Sequence, residues 1–448
     1  MNKRMIMLMA AALALLSARG QTVEFTGWEE PYSPYEKHLS DNQGSLNKVF
    51  VVYNTAGVGM KYTAITDEPV VWKDFNDNPI EGIIHEGRVT RLPQVKADMG
   101  YKIVEGNSTH THYYWVVDYA NYPLDIISMS YSSESPCDLV TLSIEGVGAA
   151  IPYHELNGER RVLDRKIKLT YKTLEWNDTL LWQPKNVEKT FEALQNHVDV
   201  EPPLCETVFK VTGDVFLEHW NLTSESAQSL SYVPQTVNCG STVEYYVADS
   251  ILNSIPNRPL SAPVHILFKG HPVGAVAYSV WQLATDATFE DIIDRNFQNE
   301  WDYVFNNAGT YYMRYMVTTE DGDHYCEANA DAYTIIVAES WMPEPWECPN
   351  VFSPGTKDGV NDIWKMPNKS MAEFHCWIFN RWGNLVYEYT DPDGGWDGTH
   401  NGKPVDTGVY YYVVEARGTD GVPWTRRGDI NILTYKGTRS TSNGVLGF

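Results

Sequence analysis

The chain has 448 residues, and 58 Asp and Glu against 34 Lys and Arg leave a formal net charge of −24. That balance disfavours nucleic acid, whose phosphates need basic partners, and unaided binding to anionic lipid. The length exceeds one hydrophobic core, so several domains are expected, and 28 Tyr with 15 Trp suit pleated, half-buried strands better than long helices.

Residues 1–20 read as a signal peptide. Lys3 and Arg4 precede an apolar run over 5–16, and Ser17-Ala18-Arg19-Gly20 leads to a cleavage point before Gln21. The run is too short to span a bilayer, and no later stretch approaches the roughly 20 apolar residues that a transmembrane helix needs. No cysteine lies near the junction, which argues against a lipoprotein. The expectation is an exported mature chain without a transmembrane segment, carrying 31 basic and 58 acidic residues.

Short β-type runs separated by turn residues then recur along the whole length, the pattern of stacked sandwiches. Runs at 48–53, 59–65, 70–72, 82–92 and 111–119 make a first immunoglobulin-like β-sandwich over 21–122, ended by Asn121-Tyr122-Pro123. A second β-sandwich over 123–250 takes the runs at 124–131, 138–144, 165–171, 206–211 and 242–247. It also contains a predicted short helix over 186–196, where Val187, Phe191 and Leu194 recur at spacings of four and three and Asn186 caps. The Pro- and Asn-rich residues 254–263 lead into a third module over 256–341, with strands at 264–269, 277–282, 313–319 and 332–338. Three prolines within 342–349 mark the last break. The expected fold class is all-β: tandem immunoglobulin-like β-sandwich domains closed by a C-terminal β-sandwich.

Six cysteines in an exported chain permit disulfides. Cys137 with Cys205 or Cys239, and Cys326 with Cys348, are the pairings considered. Cys376 lies in a strand-like run and reads equally well as a buried free thiol. No CxxC pair is present, which argues against a cysteine-based zinc site.

From residue 349 to 436 four blocks follow in order. Pro349-Asn350-Val351-Phe352-Ser353-Pro354 comes with Asp358-Gly359-Val360-Asn361-Asp362. Next is Trp377-Ile378-Phe379-Asn380-Arg381-Trp382-Gly383-Asn384-Leu385-Val386-Tyr387. Gly395-Trp396-Asp397-Gly398-Thr399 then precedes Asn401-Gly402-Lys403-Pro404 and Thr407-Gly408-Val409-Tyr410-Tyr411-Tyr412. Gly383, Asp397-Gly398 and Asn401-Gly402 are reversals in which Gly, Asn or Asp tolerates positive φ. They separate strands expected at 374–379, 385–389, 409–415 and 429–435. In so small a sandwich Trp382, Trp396 and the tyrosines are expected to fill much of the core.

On these blocks the tail, taken as a domain over 347–436, resembles the gliding-motility-associated type B sorting domain of the type IX secretion system. The resemblance implies an address: a passenger that folds in the periplasm, crosses the outer membrane by the type IX translocon, and meets a PorP/SprF-like outer-membrane β-barrel protein. The third module resembles the PKD-like, immunoglobulin-type repeats that precede such tails in Bacteroidota surface proteins, on Ser279-Val280-Trp281, residues 305–312 and Ala338-Glu339-Ser340. Two departures stand out. The first loop has one extra residue and a lysine, Lys357, and residues 437–448 run on as a Ser-, Thr- and Gly-rich tail expected to be flexible.

Asp358, Asn361 and Asp362 have a spacing that presents oxygens to a hard cation such as calcium, the sole cofactor considered, although Lys357 would weaken it; the plainer reading is an Asx turn. His110 and His112 alternate on one face, with no third ligand in view, and read more simply as an exposed polar pair before a strand. Arg427-Gly428-Asp429 is an RGD tripeptide where the final strand should open. Asp178-Thr179-Leu180 and Asp249-Ser250-Ile251 match the Asp-Ser/Thr-aliphatic pattern of bacterial O-glycosylation, at Thr179 and Ser250. No GxSxG, HExxH, P-loop or GxGxxG motif occurs, so no catalytic residue is assigned. The leading expectation is a non-enzymatic, outer-membrane-associated or cell-surface protein, either an adhesin or docking protein or an accessory of the secretion apparatus. The alternative is a hydrolase or carbohydrate-binding accessory in residues 22–250, with a pocket lined by carboxylates or stacked aromatics.

Overall fold

The computed structural model describes residues 22–39, 46–106, 110–247, 250–320, 325–354 and 360–433, so the proposed signal peptide and the 437–448 tail lie outside it. The described chain is nearly all β and forms two compact units. One unit comprises the chain up to residue 175 together with 184–234; the other comprises 176–183 and everything from 235 onward.

The first unit holds two sandwiches that share a layer. A four-stranded sheet (in order Thr22–Thr26, Gly59–Thr63, Val89–Leu92, Ile84–Glu86) faces a five-stranded one (Tyr35–His38, Lys48–Val52, His110–Asp118, Met99–Glu105, Val70–Lys73). The run at 48–52 does not alternate, because both of its faces are buried. Phe50 and Val52 enter the core of the first sandwich with Tyr62, Trp72 and Val116. Val49 and Val51 face the opposite way, into a second core shared with Leu142, Leu169, Val211 and Trp220. Trp115 and Val117 on the neighbouring parallel strand repeat the division.

The second module is built on strands Asp125–Ser135, Leu139–Val147 and His197–Val200, and on a sheet ordered Leu181–Phe191, Ile167–Asn177, Lys210–Gly213, Glu225–Gln228. Two expectations fail here. Residues 186–191 belong to the strand Leu181–Phe191, not to a helix: Val187, Lys189 and Phe191 are half-buried while Asn186, Glu188 and Thr190 are exposed, a period of two. The strand Val237–Val247 pairs along its length with Val264–Gly274, so it belongs to the third module, and the break falls near Gln235 rather than at 250. Among the described residues of this module the α-helix is Val215–His219, a single turn capped by Asp214.

In the second unit, the third sandwich packs a sheet ordered Ser250–Leu252, Val237–Val247, Val264–Gly274, Glu300–Phe305 against one built on Tyr278–Ala284 and Gly309–Thr318. Its centre is Trp281, fully buried, with ring centroids 5.5 Å from Phe268 and 4.9 Å from Tyr315. Gly270 is required there, since a Cβ would stand 2.3 Å from the Tyr315 ring. The tail is a five-stranded sheet in the order Val351–Phe352, Pro423–Ile432, Gly408–Gly418, Met371–Phe379, Leu385–Tyr389, with a small hairpin Thr399–His400/Lys403–Pro404.

Candidate functional site

The tail's motif residues divide into those that build its core, those that turn its chain and those left on its surface. Trp396 is fully buried, with ring centroids 5.5 Å from Phe352 and 5.2 Å from Tyr410. Trp364, also buried, exchanges both backbone hydrogen bonds with Trp396 at 2.9 Å and donates its indole N–H to the Pro349 carbonyl at 2.6 Å. Each indole N–H has a carbonyl partner, which is what lets two tryptophans lie in so small a core. Burial pushes the Cys376 thiol beneath them up to about 12, so it is an inert packing group.

The turns use the chemistry the sequence implied. Asn380 accepts the amides of Trp382 and Asn384 on its side-chain oxygen, and Gly383 has φ +83°. Asp397 accepts both the amide and hydroxyl of Thr399; Gly398, at φ +76°, leaves room for Pro354, which a Cβ would meet at 2.6 Å. Asn401 and Gly402 both take positive φ and join Thr399–His400 to Lys403–Pro404; Gly408 opens the next strand, and the Tyr410 hydroxyl donates to the Asp406 carbonyl. The Asn350 carbonyl accepts from the amide of Asn431, and the Ser353 amide donates to the Asn361 carbonyl.

Trp382 does not fill the core. It is 71% exposed at the turn tip, with the Arg381 guanidinium 4.4 Å from its ring centroid. The turn that Asn380 and Gly383 close aims its middle residues at solvent, so Trp382 cannot reach the layer where Trp396 sits. On the sheet's outward face Phe379 stands opposite Tyr411 and Leu385, and Trp377 opposite Val413. Tyr411 is 48% exposed, and Trp377 stacks on His375 at 3.8 Å. Sequence reading missed this aromatic face; the signal was the alternation of Trp377 and Phe379 with the buried Cys376 and Ile378. The arrangement offers recognition by apolar and cation–π contact.

The remaining candidate residues fall elsewhere. Asp358 and Gly359 lie outside the described residues; Asn361 (φ +55°) and Asp362 follow directly, and among the described residues no cluster of three or more His, Cys, Asp or Glu could hold a metal. His110 and His112 are part of the strand His110–Asp118, not a polar pair ahead of it, and His112 is buried. Burial pulls the His112 pKa down, with opposing influences from Glu105 and His110. Glu105 is buried beside it. Desolvation works against its carboxylate, but hydrogen bonds from the Tyr62 hydroxyl and from Ile65 and Thr66 outweigh that and hold its pKa low. Cys205, Cys239, Cys348 and Cys376 are free thiols, so neither considered pairing of Cys137 with Cys205 or Cys239, nor of Cys326 with Cys348, is formed. Cys239 instead lies against the carbonyls of Tyr315 and Ala328, deep in the third sandwich. The RGD tripeptide is mid-strand in Pro423–Ile432, with Gly428 packed under the Tyr412 ring, not on a loop. Thr179 is exposed at a hairpin tip and Ser250 is exposed at the start of a short strand. A crevice lined by Thr22, Val23, Asn47, Lys48 and Tyr114 carries no carboxylate.

Residues 346–431 match the model of the type IX secretion signal domain named CHU_C, and residues 128–229 match a fibronectin type III domain. Comparison with curated proteins finds no match. Among solved structures, the chain is similar to a tetra-tandem repeat from the extending region of a large adhesion protein, at 11% identity over 85% of this chain and 96% of that one, with TM-score 0.23. A calcium-stabilised adhesin with which an Antarctic bacterium reaches out and binds ice gives 12% identity over 92% and 99%, with TM-score 0.19. The three-immunoglobulin ectodomain of mouse nectin-like molecule 4 gives 10% over 71% and 94%, with TM-score 0.21. The secretion signal domain points to an exported, surface-associated protein.

Proposed function

We propose that this chain is a non-enzymatic protein of the bacterial cell surface, carried across the outer membrane by the type IX translocon and held at an outer-membrane β-barrel of the PorP/SprF-like kind through its tail. The observation that carries the reading is the secretion signal domain at 346–431, whose turn residues leave Arg381 and Trp382 in solvent beside an aromatic sheet face. Three sandwiches precede it, one of them a fibronectin type III domain, and they serve as the adhesive or docking part, with their loops as contact sites. Thr179, exposed on its hairpin tip, fits a glycan acceptor, and Asp358 with Asn361 and Asp362 remains a calcium proposal for the loop ahead of Ile363.

The test is localisation with partner capture. The full-length protein and a form lacking residues 340–448 are expressed in the native host, the cells are fractionated, and intact cells receive protease and a crosslinker. The expected result is a surface-accessible full-length protein crosslinked to an outer-membrane barrel, and a truncated form retained in the periplasm. Surface display of the truncated form overturns the reading. A gene deletion separates the two roles: lost adhesion with normal secretion of other cargo marks an adhesin, and lost secretion of other cargo marks an accessory of the apparatus.

A further inference from the structure

The family match begins at residue 346, yet the folded tail begins earlier. Met342 is buried in the core that holds Trp364, Trp396 and Ile378. Upstream of it, Ser340 is gripped from two sides. Its amide and hydroxyl both donate to the Asp420 carboxylate at 2.8 Å, and its hydroxyl accepts the Trp424 indole N–H at 2.9 Å. Trp341 and Lys369 exchange backbone hydrogen bonds at 3.2 and 3.0 Å. Arg426 donates to the Pro343 carbonyl at 2.7 Å and reaches Glu344.

The contacts continue into the third sandwich. Ser370 is fully buried, and each of its polar groups has a partner. Its amide donates to the Ser261 hydroxyl at 2.8 Å, its own hydroxyl donates to the Ala338 carbonyl at 2.7 Å and accepts the Ala262 amide at 3.1 Å, and its carbonyl accepts the Thr419 amide at 2.9 Å. One residue of the tail thereby ties two segments of the third sandwich to the tail's own turn before Asp420. Three prolines read as a loose boundary in sequence; here the segment they punctuate is bonded on both sides.

We propose that the segment 338–348 is a clamp and not a hinge: the third sandwich and the tail form one body, 235–433, and the signal domain stays attached to the mature protein. The second half of this statement rests on the export reading above. A segment must open over many residues to enter a protease, so a linker held through the amides of Ala338, Ser340 and Trp341 is cut slowly even where side chains such as Trp346 are exposed.

The test is limited proteolysis of the full-length protein with chymotrypsin and a Glu-specific protease, the fragments being mapped by mass. The linker offers Glu339, Trp341, Trp346 and Glu347 as cleavage points, Glu344 being shielded by the proline that follows it. We expect the first cuts to fall elsewhere, and cleavage within 338–348 to be at least about tenfold faster in a variant with a four-residue Gly-Ser insertion after Glu339, which loosens the clamp without deleting any partner. The S370A and D420A variants, whose fold is checked by near-ultraviolet circular dichroism, should fall between. A wild-type linker cut as fast as the insertion variant overturns the clamp. On intact cells, an antibody against the tail should detect only full-length protein at the surface, and a free tail fragment there overturns retention. Failure of the protein to reach the surface would instead sink the export reading and leave the proteolysis result standing.

Discussion

Each unit joins two sandwiches, and the joints are built from opposite chemistry. In the first unit the joint is a buried ion pair. Arg165 and Asp214 are fully buried; the guanidinium Nε donates to the carboxylate at 2.8 Å, while its other nitrogens reach the carbonyls of Ala149 and Tyr122 and the Tyr119 hydroxyl. Asp214 in turn accepts the amides of Phe216 and Leu217, so every lone pair that burial strips of water has a donor. In the second unit the same task falls to a neutral hydroxyl, that of Ser370. The difference follows from what surrounds each joint. Tyr53, Tyr119 and Trp220 pack around the first with ring centroids 5.0 to 6.4 Å apart, an aromatic shell into which a planar guanidinium fits, whereas the second lies between backbone segments whose amide and carbonyl one serine hydroxyl bridges. A charged joint tolerates loss of a partner far less than a neutral one does.

That contrast orders the predictions. Arg165→Ala strands a buried carboxylate and should cost the first unit about 3–5 kcal/mol, read as a drop in the denaturant midpoint. Replacing Arg165 and Asp214 together by Met and Leu should recover much of the loss, and a double variant as unstable as the single one would break the comparison. Trp396→Ala should cost the tail about 3–5 kcal/mol by emptying its core. Ser370→Ala leaves the Ala262 amide and the Ala338 carbonyl unpaired and should cost about 1–3 kcal/mol.

Acid should weaken both units in the same sense. Burial lowers the pKa of His112 in the first, and burial followed by nearby Lys269 lowers that of His271 in the second. The unfolded imidazoles take protons near pH 6.5 and the folded ones only at lower pH, so the unfolded state binds more protons and stability falls as pH drops below 6.5. Thermal melts from pH 7.5 to 5 should record that slope, flatter for His112→Phe if the first unit melts separately. The smallest effect on stability is expected from Trp382→Ala, within about 0.5 kcal/mol, since the ring is largely in solvent. Its expected loss is in crosslinking to the proposed outer-membrane partner, and undiminished capture would remove Trp382 from the proposed recognition surface.

How much of this was legible beforehand varies with how local each cause is. The tail's turns were readable because Gly383, Gly398 and Asn401-Gly402 act through their own backbone angles. The continuous run at 48–53 announced a strand, but not that its two faces serve different cores. The second half of the strand Leu181–Phe191 reads as a helix because Val187 and Phe191 satisfy both periods, and the half-buried Lys189 between them hides the alternation. Trp382 reads as a core residue because a tryptophan in a small domain suggests a core, while the hydrogen bonds of Asn380 decide which way the turn points. The joints were invisible, since Arg165 lies 49 residues from Asp214 and Ser370 lies 109 from Ser261.

The order of strands in the tail bears on behaviour at high local concentration. An open sheet can grow by adding a neighbour's strand along either margin. One margin here is the two-residue strand Val351–Phe352, which covers only Asn431 and Ile432 of Pro423–Ile432; before them the Arg426 side chain reaches across to the Pro343 carbonyl. At the other, the His400 imidazole from the Asn401-Gly402 hairpin bonds to the Val386 carbonyl, occupying a position that a foreign strand would need. A hairpin that reads as ornament thus blunts one margin of the sheet against an added strand.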